Sequence, residues 1–186
     1  MILLDSQRAA LRGLKFFAGL LVFVSVIALI GFAIFGLTGC GKKAVTPQAT
    51  AQVLAATDVW AALPTAIMGD ATYAQVNSAW LPGFYDTFRS EIFRQGVTSW
   101  DSRFDCNHFA TYYAALAQTQ FYLSHFQSWT KAESLAVGTF WYRVPNGAHA
   151  IVFALTERGL VFIEPQNGQE VTLTLAQRQS AFLVTL

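Results

Sequence analysis

Phe104-Asp105-Cys106-Asn107-His108-Phe109-Ala110 opens a long apolar-periodic run. Beyond it Phe109, Tyr112, Tyr113, Leu116 and Tyr122 recur near helical spacing, which predicts a helix over 106–127. Asp105 is the N-cap candidate, so Cys106 falls on the first turn. A thiol there sees unpaired N–H groups and the positive end of the helix dipole, and both favour a thiolate. The N–H of Cys106 is also placed to donate to an oxyanion. The competing reading is a buried cysteine acting as a small hydrophobe.

Downstream of Gly138 the pattern changes from helical to extended. Residues 139–144 (TFWYRV) are aromatic and β-branched, as strands prefer. Pro145-Asn146-Gly147 reads as a turn. Residues 148–155 (AHAIVFAL) and 160–164 (LVFIE) are short apolar runs around Thr156-Glu157-Arg158-Gly159, a hairpin turn. Asn167-Gly168 is a second hairpin signal, with 169–174 as the next strand. Upstream, 52–68 reads as a helix through Val53, Ala56, Trp60 and Leu63, ended by Pro64. Residues 72–80 read as a short second helix and Pro82-Gly83 as a turn. Residues 84–94 form a third helix with Phe84, Phe88 and Ile92 on one face, stopped by Gly96. Residues 97–105 are a loop. The expected fold class is α+β: N-terminal helices, a central helix carrying Cys106, then an antiparallel β-sheet.

The chain has 186 residues, 54% hydrophobic and only 12% charged. Globular averages are about 45–50% and about 25%, and the apolar excess sits at the front. Residues 16–35 carry no charge and are long enough to span a bilayer as a helix. Arg8, Arg12 and Lys15 precede them, a positive n-region before a hydrophobic h-region. Where the apolar run stops stands Leu37-Thr38-Gly39-Cys40, which resembles the bacterial lipobox. That resemblance implies cleavage before Cys40 and acylation of its sulfur. The alternative is an uncleaved transmembrane anchor in which Cys40 is incidental. Either way the membrane partner is lipid, met through Cys40 or residues 16–35, and the rest of the chain is extracytoplasmic. With Gly41 and no Asp after the cysteine, the lipobox resemblance implies the outer membrane of a diderm host. The expected organisation is a signal peptide or anchor over 1–39, a small polar tether over 40–52, and one domain over 53–186. A net charge of +1 gives no basic footprint for nucleic acid. Two cysteines make neither a disulfide-dense scaffold nor a four-Cys zinc site.

With Cys40 assigned to lipid, Cys106 is a lone exported cysteine. His149 lies near the start of a predicted strand. A hairpin centred between Glu157 and Arg158 sets His149 against Gln166 and Ile151 against Glu164. Glu164 then lies diagonal to His149 on the same face. A carboxylate there orients the imidazole, and the three side chains read as nucleophile, base and orienter. The plainer alternatives are a structural histidine, a strand-end glutamate, and turn chemistry for Gln166 and Asn167. Trp100 is a candidate oxyanion donor through its indole N–H, and otherwise a loop tryptophan on the core. His108, two residues from Cys106, does not share its helix face. A Cys-x-His pair lacks further metal ligands. His125 reads as structural or surface-exposed, and Tyr112 and Tyr113 as core.

The segment 104–110, the strand around Ala148-His149-Ala150 and Ile163-Glu164-Pro165-Gln166 together resemble the bacterial transglutaminase-like cysteine peptidases, of the papain-like superfamily. The similarity covers roughly residues 98–170. It implies a papain-like α+β fold with Cys106, His149 and Glu164 as a triad; Gln166 and Trp100 stand beside them as candidate orienting or oxyanion groups, and no metal or cofactor is expected. It implies thiol hydrolysis or transfer at an amide, and the exported location makes envelope protein or peptidoglycan cross-bridges the expected substrates. The sequence departs from that family's motif at Phe104, where a glycine is usual, at Asn107 and His108, where acids are usual, and at Glu164, where Asp is usual. The family includes members whose fold serves binding. The alternatives are therefore an inactive lipoprotein binding an envelope or phage component, and a small membrane protein of a lysis or exclusion module.

Overall fold

In the computed structural model, residues 46–125 and 131–186 are described. The elements run β1 (Ala49–Ala55), α1 (Ala56–Ala62), β2 (Ala66–Ile67), β3 (Thr72–Val76), a 3-10 turn (Ser78–Trp80), α2 (Leu81–Arg94), α3 (Cys106–His125), β4 (Ser134–Leu135), β5 (Val137–Val144), β6 (Gly147–Thr156), β7 (Gly159–Glu164), β8 (Gln169–Val171), α4 (Leu175–Gln179) and β9 (Ala181–Thr185). The architecture is α+β, as expected. Cys40, the segment 16–35 and the leader over 1–39 lie outside the described residues. Among the described residues no helix is long and apolar enough to cross a membrane.

Nine strands among these residues make one sheet. The path is β1-β3-β6-β5-β9-β2, with β4 on β3, and β7 then β8 beyond β6. The sheet is mixed, which corrects the antiparallel expectation. β5–β6–β7–β8 is the antiparallel meander, but β3 meets β6 in parallel at Val76–Thr156, and β2 runs parallel to β9. The β6–β7 register pairs Val152 with Ile163 and Thr156 with Gly159. That is the hairpin centred between Glu157 and Arg158.

The N-terminal third departs furthest from the sequence expectation. The helix read over 52–68 is β1, then α1, then β2. Of its expected apolar face, Leu63 is buried but Val53 and Trp60 are 40% and 49% exposed, and Val59, off that face, is buried. β1 pairs with β3, Leu54 opposite Tyr73, and this long-range pairing overrides an alanine-rich helical propensity. Strand β1 begins at Ala49, inside the segment 40–52 read as a tether. Residues 72–80, read as a helix, are β3 and the 3-10 turn. Pro82-Gly83, read as a turn, sits in the first turn of α2, where a proline lacks nothing that a helix needs. Residues 172–174, read as strand, are not part of β8, and α4 and β9 were not foreseen.

α2 and α3 do behave as their sequences direct. Leu81, Phe84, Phe88 and Ile92 bury one stripe of α2, and Gly96 ends it at φ 84°. Phe109, Tyr113, Ala117 and Phe121 bury a stripe of α3 at four-residue spacing. The stripes meet through rings: Phe84 lies edge-on to Tyr113 at 4.8 Å, and Phe88 stands 4.9 Å from it. On its other side α3 packs on β5 and β6. The Gln118 amide donates to the Leu135 and Val137 carbonyls at 2.7 and 3.2 Å and accepts the Leu135 N–H at 2.9 Å. A polar side chain is thereby fully used to lock the helix onto the sheet. This packing sets the N-terminus of α3, and Cys106 with it, against β5 and β6.

Candidate functional site

Asp105 caps α3. Its Oδ1 accepts the Asn107 N–H at 3.3 Å and meets His108 Nδ1 at 2.9 Å. His108 also stacks on Phe104, ring centres 5.5 Å apart. Two of the departures from the motif, Phe104 and His108, are thus partners in one cap, and His108 serves Asp105 rather than the thiol. The His108 hydrogen bond, helped by the Asn107 N–H, holds the Asp105 carboxyl below its usual value. A depressed carboxyl stabilises the fold above its unfolded pKa, about 3.9, and that contribution is lost as pH falls through the folded value. Replacing His108 with alanine should therefore move the Asp105 midpoint up toward the unfolded value, read from its carboxyl carbon shift by NMR. A midpoint that does not move would remove His108 from the cap.

Cys106 is the first residue of α3, is half-buried and forms no disulfide. His149 and Glu164 come together as the hairpin register requires: His149 Nε2 lies 2.7 Å from Glu164 Oε2. Their side chains are 27% and 17% exposed. The carboxylate is held at its other oxygen by the Gln166 N–H, 3.2 Å from Oε1. Gln166 therefore orients Glu164 through its backbone. The turn that makes this geometry is tight. The Gly168 N–H returns to the Glu164 carbonyl at 2.8 Å, and Gly168 itself sits at φ 74°. A Cβ there would meet the Tyr85 ring at 2.4 Å. The Tyr85 hydroxyl donates to the Gln166 carbonyl at 3.1 Å and closes the turn over the helix α2.

The sequence reading missed Tyr142. It is the cross-strand partner of His149 in the β5–β6 register, and its ring meets the imidazole edge-on at 5.7 Å. Burial raises the pKa of its phenol, and Coulombic interactions with Glu164 and with the Cys106 side chain act in the same direction. The phenol is thus within electrostatic reach of both. The signal was available in the turn Pro145-Asn146-Gly147, since a hairpin closed there pairs Tyr142 with His149. No hydrogen bond joins Cys106 to His149 among the described residues; the imidazole's Nδ1 is left uncommitted by Glu164.

Trp100 stands on a rim rather than in hydrogen-bond contact with Cys106. It is 58% exposed and lines a cleft of about 460 Å³ together with Gln166, Tyr85 and Phe109. Tyr113 is a core residue, and Tyr112 is half-buried with its hydroxyl 3.4 Å from Glu91. Among the described residues no three His, Cys, Asp or Glu side chains gather as a metal site.

A helix opening on a cysteine, packed against strands that carry a histidine and its carboxylate, is the arrangement to compare. The fold resembles a papain-like fold. A PSL1a–E64 complex matches with a TM-score of 0.55 at 20% identity, over 72% of this chain and 50% of that one. A Polyporus squamosus lectin bound to a human-type influenza-binding epitope matches with a TM-score of 0.54 at 21% identity, over 72% and 49%. The chain thus spans about half the length of these solved structures. No protein-family model matches the sequence, and no curated protein matches it. The likeness is one of fold, and that fold is shared with a lectin.

Proposed function

We propose that the protein is a thiol hydrolase or transferase acting on an amide bond. The observation that supports this reading is the His149–Glu164 hydrogen bond, which occupies Nε2 and leaves Nδ1 for a thiol at the start of α3. Cys106 Sγ attacks the amide carbonyl as its proton passes to His149. The tetrahedral oxyanion is met by N–H groups at the helix start. Its collapse breaks the C–N bond, and the imidazolium returns the proton to the leaving amine. Water, or an amine in the transfer reaction, then attacks the thioester, gives its proton to His149 and expels the thiolate. Glu164 holds the ring and balances its charge. In this reading the domain is tethered outside the cytoplasm through Cys40 or residues 16–35, and envelope peptides are its substrates.

A second reading is a binding module on the same fold, with an unreactive Cys106. The likeness to a lectin favours it, and the comparisons lean toward it more than toward catalysis. E64, present in the other matched structure, is a direct probe. Full-length protein in detergent micelles, held at about pH 6 where free thiols are sluggish, should gain the mass of one E64 at Cys106. Protein that stays unmodified while folded would assign the domain to binding.

A further inference from the structure

The cleft of about 460 Å³ beside the site is within the range of small-ligand and peptide sites, about 300–1,000 Å³. Its lining carries one formal charge, that of Arg89. The described chain has six arginines, and the other five are partnered. Arg94, Arg103 and Arg158 pair with Glu91, Asp101 and Glu170. Arg143 and Arg178 lie over the rings of Phe182 and Phe162. Arg89 is exposed, and among the described residues no carboxylate pairs with it and no ring lies under it. Around it the rim presents Phe93 and Trp100, 67% and 58% exposed. Across the cleft stand Gln166 and Asn167. The Asn167 Oδ1 already accepts the Gln169 N–H at 2.9 Å, so its amide NH₂ remains as a donor. An unpaired guanidinium, neutral amide donors and two bare aromatic faces complement a carboxylate flanked by apolar groups.

We infer that this cleft selects peptides with an acidic side chain, Arg89 taking the carboxylate and Phe93 and Trp100 taking apolar neighbours. As the specificity site of an enzyme this rests on the thiol reading above; as a binding site it does not. The cleft adjoins the chemistry at two places. Phe109 lies one turn along α3 from Cys106, and Gln166 donates its N–H to Glu164. Burial raises the pKa of the Tyr85 phenol on the cleft wall, and the charges of Arg89, Asp86 and Glu164 all reach it. A single guanidinium suits a singly charged carboxylate, and a peptide supplies it next to the amide that Cys106 would attack.

The test is equilibrium binding to full-length Cys106→Ala protein, in which no acylation can occur. The probes are acetylated, amidated hexapeptides identical except for a central Glu or Gln between two aromatic residues. The Glu peptide should bind about 10-fold more tightly, the scale of one charge-assisted hydrogen-bonded pair. Arg89→Gln should abolish that preference and leave Gln-peptide affinity unchanged. Equal affinities, a preference that survives Arg89→Gln, or tighter binding of glucuronate than of the Glu peptide would overturn the inference. A preference for Glu in a protein whose Cys106 fails to react with E64 would sustain the cleft and reject the thiol chemistry.

Discussion

Replacing His149 with alanine should slow the reaction of Cys106 with E64 about 100-fold near pH 6, the ratio expected when a thiolate held by its base reverts to an ordinary thiol. The ring is only partly buried, and its two contacts are the Glu164 carboxylate and the edge of Tyr142. Thermal unfolding should therefore shift by only a few degrees, which separates lost chemistry from lost fold. Glu164→Gln should cost about 10-fold, because an amide can still meet the imidazole but carries no charge. The two effects should not add. Glu164 touches the thiol only through His149, so in a His149→Ala background the Glu164 change should be silent. Fully additive losses would mean that Glu164 acts on Cys106 by another route.

The largest effect on stability should come from Gly138→Ala. Gly138 opens the meander in β5, opposite Phe153 of β6. A Cβ at this position would lie 2.0 Å from the Thr185 carbonyl oxygen and 2.8 Å from the Phe153 ring. The obstruction is backbone on one side and a fully buried ring on the other, so neither gives way easily. β9 would have to move, and with it the contact in which the Thr139 and Thr185 hydroxyls meet at 2.7 Å. Overpacking of this kind costs about 3 kcal/mol, or roughly 10 °C in the unfolding midpoint of a chain this size. Gly83→Ala is the control. Nothing lies within 4 Å of a Cβ there, and the residue sits inside α2, so alanine should stabilise by about 0.5–1 kcal/mol. A Gly138→Ala protein that melts like the parent would mean that β9 is not seated against β5 as described.

The parts of the fold that were legible in the sequence are those governed by local rules. Asp105 before an apolar-periodic run marked the start of α3, and the Glu157–Arg158 turn fixed the β6–β7 register. From that register the meeting of Glu164 with His149 followed, because the side-chain period of a strand leaves one answer. The N-terminal strands were not legible, since β1, β2 and β3 exist through partners distant in sequence. Tyr73 is fully buried on a strand whose neighbours, β1 and β4, come from about 20 residues before and 60 after it, and no window around residue 73 records that. α4 was within reach. Thr174 accepts the Gln177 N–H while Gln177 returns to the Thr174 N–H, a capping box written in four residues. The cleft at Arg89 was not legible, because its walls come from α2, the loop before α3 and the turn after β7.

The measurement that tests the account most directly is the rate of iodoacetamide alkylation at Cys106 near pH 6, in the folded full-length chain and in the same chain unfolded in urea. Iodoacetamide needs no recognition, so its rate reports thiolate and access alone. Alkylation should be faster in the folded chain than in the unfolded one, by about 10-fold or more, with the advantage lost on His149→Ala. Alkylation that appears only on unfolding, and is indifferent to His149, would contradict it and leave a papain-like fold that binds without reacting.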